Sequence, residues 1–136
     1  MKSAFIDTNL FIRYLTNDHP DKADRVERLL RDAAAGGIKL VTVEMVIAEV
    51  VWVLESSYGL TSVEVAPLIR GILATEGLEV INGALVANAL DNYEGKNIDF
   101  IDGYLVAAME SRSVCDLYSF DRKHINRIKT ITRREP

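Results

Sequence analysis

Four carboxylates stand where an all-oxygen site for a divalent cation could be assembled: Asp7, Glu49, Asp102 and Asp121. Asp7 directly follows the short apolar run SAFI, and Asp121 closes the run VCDLYSFD, so each falls just past the carboxyl end of a candidate strand. Parallel strands bring such ends to one sheet edge, the edge at which open α/β folds bind ligands. Glu49 is the only charge in MVIAEVVWVL, Met45 to Leu54. On so apolar a helix it is expected in or beside the core, where an isolated carboxylate is costly and calls for a cation or a raised pKa. Asp99 and Asp102 lie at i and i+3 at a helix start, on one side and beside the positive end of the helix dipole.

Like carboxylates about 4 Å apart repel by roughly 4 kcal/mol at an effective dielectric near 20, so a cluster of them tends to recruit a cation. Oxygen-only ligation points to Mg²⁺ or Mn²⁺ rather than zinc. Such ions lower the pKa of bound water and stabilise the leaving oxygen of a phosphoester, so hydrolysis needs neither histidine nor cysteine. Each acid also has a structural alternative. Asp7, Asp99 and Asp121 could cap the helices that follow them, and Glu49 could form an internal salt bridge or sit at a helix edge. Ser119, two residues before Asp121, could hold a water or a phosphate oxygen, or act as a cap.

Short apolar runs alternating with longer segments of helical period predict an α/β fold, a three-layer α/β/α sandwich around a mostly parallel sheet of about five strands. The candidate strands are residues 3–6, 38–43, 78–81, 114–119 and 128–132. Helical segments are predicted at 10–15, from Pro20 to about Ala35, over 44–58, from Thr61, over 84–93 and over 99–112, with a short turn after Asp121. Ala23, Val26, Leu29, Leu30 and Ala33 share one face of the second of these, which Pro20 opens and Gly36-Gly37 ends. Thr61 with Glu64 forms a capping box, and Pro67 should kink or shorten the helix that follows. In the segment 99–112, Ile101, Leu105, Ala108 and Met109 fall on one side.

A chain of 136 residues, nearly half of them apolar, is expected to form one domain over 1–136. No uncharged stretch approaches a bilayer span, and MKSAFIDTN reaches an acid too soon for a secretion signal, so a cytoplasmic, membrane-free protein is expected. The single Cys115 excludes an intrachain disulfide and a thiolate metal cluster, and reads as a small buried hydrophobe. His19 and His124 read as surface residues, and Trp52 as core or interface. The net charge of −4 argues against a nucleic-acid partner. Two basic stretches oppose that average: six basic residues and no acid between Arg122 and Arg134, and the group Lys22, Arg25, Arg28 and Arg31.

The chain resembles the PIN-domain nucleases, in particular the VapC-type toxins of toxin–antitoxin pairs. The likeness rests on FIDTNLFIRYL, on IAEVVWVLE with Glu49, on NIDFIDGYLVAAM and on YSFDRKH, in this order and at these separations. It implies that Asp7, Glu49, Asp102 and Asp121 form an acidic quartet for Mg²⁺ or Mn²⁺, supported by Asn9, Asp99 and Ser119. It further implies an endoribonuclease acting on tRNA or ribosomal RNA, a homodimer, and a small protein antitoxin that blocks the cleft. One departure is Gly103, where alanine would be expected after the third acid. Two rival readings remain. A small-substrate, magnesium-dependent phosphohydrolase of the haloacid-dehalogenase type would want a second acid where Asn9 stands, and a PIN-like module could bind RNA or protein without cutting.

Overall fold

The computed structural model describes residues 2–136, as two compact units, one reaching to Gly83 and the other running from Ala84 to Pro136. In the first, three parallel strands, β1 (Ser3–Phe5), β2 (Lys39–Thr42) and β3 (Leu78–Val80), lie in the order 1-2-3. Parallel neighbours require crossover connections. Helices α1 (Thr8–Thr16) and α2 (Pro20–Ala34) connect β1 to β2, and α3 (Glu44–Ser56) and α4 (Ser62–Leu73) connect β2 to β3. α1 packs on both α2 and α3.

The caps and faces of these helices follow their residues. Pro20 opens α2, whose Ala23, Val26, Leu30 and Ala33 are buried. The Thr61–Glu64 capping box closes in both directions, and α4 then runs through Pro67 without ending there. Gly77, at φ +81°, admits the chain to β3 where a Cβ would lie 2.3 Å from the Ala33 carbonyl oxygen. On the central strand β2, Leu40 and Thr42 are fully buried, and the Thr42 hydroxyl donates to the Ile6 carbonyl at 2.9 Å. That bond fixes the chain beside β2 one residue before Asp7.

The second unit holds α5 (Gly83–Gly95), α6 (Phe100–Ser111), a parallel pair β4 (Asp116–Tyr118) and β5 (Thr132–Arg134), and a 3₁₀ turn at Ile125–Arg127. The strands therefore form two parallel sheets of three and two among the described residues. The last strand lies later than the predicted 128–132. Ile125, Ile128 and Ile131 recur every third residue, the period of a 3₁₀ turn. Ile128 is buried with Ile98 and Val106, and Ile131 packs against them.

The apolar side of α6 also differs from expectation. Ile101 and Leu105 are exposed, and the buried face carries Phe100, Gly103, Val106, Ala107 and Met109. The reason is Gly103. A Cβ there would stand 2.8 Å from the Ala89 carbonyl oxygen and 3.3 Å from the Asn92 side chain, so the glycine sets how closely α6 approaches α5. Buried Asn92 uses the same contact, its Nδ2 donating to the Gly103 carbonyl at 3.0 Å. Gly103→Ala, which helix propensity alone would favour, is expected instead to destabilise the fold by about 1–3 kcal/mol, the usual range for overpacking. A urea-unfolding midpoint equal to or above that of the wild type would contradict this packing role.

Candidate functional site

Asp7 occupies the turn between β1 and α1. Its extended backbone makes it the cap of α1, with Oδ1 accepting from the Leu10 amide at 3.4 Å, a long bond. Glu49 lies in the second turn of α3, the helix that follows β2. Because β1 and β2 are parallel neighbours, Asp7 and Glu49 belong to the same sheet edge, and both line one hollow of about 490 Å³ with Thr8, Asn9 and Arg13.

Glu49 is exposed, contrary to the expectation that it lies in or beside the core. Met45 and Trp52, four residues before it and three after, are exposed on the same side of α3 at 78% and 64%. The buried side carries Ile47, Val50, Val51 and Leu54. An apolar run thus conceals a two-sided helix whose outer side includes large apolar residues, and Trp52 is not a core residue. Among the described residues Glu49 has no hydrogen bond or ion pair, so its oxygens are available to a ligand.

In the second unit Asp99 caps α6, its Oδ1 accepting from the Asp102 amide at 2.8 Å. Asp102 is half-buried. Desolvation, then the negative charges of Asp99 and Asp121, raise its carboxyl above the ordinary carboxylate range, with His124 opposing. Asp121 behaves oppositely. The backbone N–H groups of His124 and Lys123 both donate to its Oδ1 at 3.0 Å, and with the His124 ring they lower its pKa. Ser119 accepts from the Asp121 amide at 3.0 Å through its hydroxyl, which serves the turn holding Asp121.

His124 was not legible as a site neighbour. It is half-buried rather than simply on the surface, with Nδ1 3.3 Å from Asp121 Oδ2. The one signal available was its spacing of three residues from an acid at a turn. His19 is exposed, and Cys115 is exposed immediately before β4 rather than buried within a strand.

The basic C-terminal stretch is largely engaged within its own unit. Arg122 and Arg133 both bind Glu135, at 2.9 and 2.8 Å, Arg134 pairs with Asp116 at 3.3 Å, and Arg127 donates to the Asn97 carbonyl. Charge counted along this segment therefore overstates what it offers a polyanion.

Among the described residues no three His, Cys, Asp or Glu side chains converge into a ready-made cage for an ion. The donors nevertheless suit a hard dication. All are carboxylates: in the first unit Glu49 has no partner among the described residues, and in the second Asp102 stands in the field of two further carboxylates. Among the described residues no helix is long and apolar enough to cross a membrane. A search among curated proteins finds no match. The family model described as PIN domain matches residues 4–130, a span that contains all four acids. PIN domains are generally nucleases that use divalent metal ions, typically Mg²⁺, and bind RNA. With this match over nearly its whole length, the chain belongs to the PIN-domain family.

Proposed function

We propose that the chain is a divalent-metal-dependent endoribonuclease that hydrolyses RNA phosphodiester bonds, with Asp7, Glu49, Asp102 and Asp121 holding Mg²⁺ or Mn²⁺ and Asn9, Asp99 and Ser119 in support. The observation that carries this reading is the PIN-domain match over residues 4–130, which spans all four acids; beside it, Asp102 is a half-buried carboxyl kept among the charges of Asp99 and Asp121. The bound ion would supply charge to activate water and to neutralise the phosphate during displacement. The protein's own tasks are to present ionised oxygens and to keep them oriented. Asp99 orients the start of α6 through the Asp102 amide, and the paired N–H groups of Lys123 and His124 hold Asp121 ionised.

Residues 1–136 are proposed to act as a single PIN-like domain of the VapC toxin type, working in the cytoplasm on tRNA or ribosomal RNA, as a homodimer restrained by a protein antitoxin. Support for protein partners comes from large apolar side chains left exposed, among them Phe5, Met45, Trp52 and Phe120.

A panel of RNAs incubated with purified protein and graded Mg²⁺ or Mn²⁺ tests the activity. Wild type should cut at least one RNA, EDTA should stop it, and Asp7→Asn should reduce cutting by more than about 100-fold, beyond what even the outer partners of metal ligands contribute. Binding without cutting at every metal concentration would identify a non-cleaving module instead.

A further inference from the structure

The hollow lined by Asp7 and Glu49 shares Asn9 and Arg13 with a second hollow of about 390 Å³ between α1 and α2. Leu10, Val26 and Leu29 give this groove an apolar floor, and Arg13, Lys22 and Arg25 give it three cations with no carboxylate in the lining. The cations are poorly compensated. Lys22 and Arg25 have no ion pair or hydrogen bond among the described residues, although Asp21 stands four residues before Arg25 and Arg31 on the same helix does pair with Glu27, at 2.8 Å. Arg13 binds Asp18 through Nη1 at 3.3 Å and leaves a buried Nε with no acceptor.

An apolar platform edged by cations is the combination that single-stranded nucleic acids use, the base on the platform and the phosphate on the rim. The volume suits one small polar ligand. An acidic peptide would also answer the cations, yet continuing past Arg13 it would meet Asp7 and Glu49 with only further negative charge. A phosphodiester can share a divalent cation with those carboxylates. We infer that the α1–α2 groove seats a nucleotide of the RNA strand flanking the scissile bond, its phosphate on Lys22 and Arg25 and its base or ribose on Leu10, Val26 and Leu29. This assignment rests on the nuclease reading, and it makes Lys22 and Arg25 positioning residues for the substrate strand.

The test is the affinity of a fluorescein-labelled ten-nucleotide single-stranded RNA, measured by anisotropy in EDTA across a range of KCl, with cleavage in Mg²⁺ or Mn²⁺ followed separately. Lys22→Ala combined with Arg25→Ala should weaken binding about tenfold near 0.1 M salt. The slope of log K against log salt should become shallower by about 1.4, as expected for two lost contacts at roughly 0.7 each on a single strand. kcat/KM should fall by the same factor while kcat at saturating RNA changes little. Lys22→Arg with Arg25→Lys should restore binding, and Arg28→Ala, on α2 but outside the groove lining, should leave it unchanged. Lys22→Gln with Arg25→Gln serves as the charge-only variant if the alanine pair melts at lower temperature. Unchanged affinity and slope in a wild-type protein that cuts RNA would overturn the groove assignment and leave the nuclease standing. Failure of wild type to cut any RNA would remove both. Displacement of nothing but an oligoglutamate peptide by these substitutions, with RNA binding intact, would overturn the assignment in favour of a peptide site.

Discussion

Asp102→Asn is expected to lower RNA cleavage by more than about 100-fold and, in metal-free protein at pH 7, to raise the melting temperature. The first effect follows from the proposed role of Asp102 as a metal ligand, since even outer partners of such ligands are worth about 10–100-fold. The second follows from the raised pKa. Folded protein holds the Asp102 proton more tightly than an unfolded chain, in which an aspartate titrates near 3.8. Between that value and the raised one the folded state binds more protons, so stability falls as pH rises through the window and stays lower above it. Desolvation and the charges of Asp99 and Asp121 impose this cost. Asparagine is neutral at every pH and removes the repulsion. Differential scanning calorimetry at pH 7 and below pH 4 separates the parts: the gain should be present at neutral pH and shrink in acid, where Asp102 is protonated in wild type as well. A variant that cleaves normally would remove Asp102 from the site, and one that melts earlier at pH 7 would show that its carboxylate is not held at a cost.

This opposition between function and stability explains why parts of the site were legible from residue types alone and others were not. Asp7 and Asp121 announce themselves because an acid directly after a short apolar run marks a strand end, and the β1–α1 turn and the segment after β4 lie where that rule puts them. Glu49 was conspicuous for the wrong reason. Its isolation among apolar neighbours implied burial, but exposed Met45 and Trp52 account for those neighbours, and the carboxylate faces solvent at the hollow it shares with Asp7. Periodicity failed in α6, where apolar residues surround the helix and give no direction; the buried side is set by a backbone contact at Gly103 that leaves no trace in hydrophobic pattern. It failed again over 128–132, expected as a strand, where β5 begins only at Thr132; the short helical turn expected after Asp121 is the 3₁₀ turn at Ile125–Arg127. Ion pairing was equally invisible. Arg122, Arg133 and Arg134 are paired within their unit, whereas Lys22 and Arg25 on α2 have no partner among the described residues, so the shorter basic stretch is the better candidate for phosphate.

Proton and metal should compete at the site, with a consequence for its pH dependence that differs from that of an ordinary carboxylate cluster. Ligands bind a cation only when deprotonated, so affinity falls by about tenfold per pH unit once one ligand is mainly protonated. Within the proposed site, burial and two negative neighbours raise the pKa of Asp102, while donated N–H groups keep Asp121 ionised to lower pH than usual. As pH falls from 7, cleavage at limiting Mn²⁺ is therefore expected to decline before the ordinary aspartate range is reached, as Asp102 takes up its proton. Raising Mn²⁺ should move the acid limb to lower pH, since the metal displaces the proton from the same oxygens. Rate profiles between pH 4 and 8 at two Mn²⁺ concentrations, paired with calorimetric titration of Mn²⁺ into the protein without RNA, check both statements. An acid limb that stays fixed as Mn²⁺ increases, together with Mn²⁺ affinity that is flat across this range, would mean that Asp102 does not hold the ion.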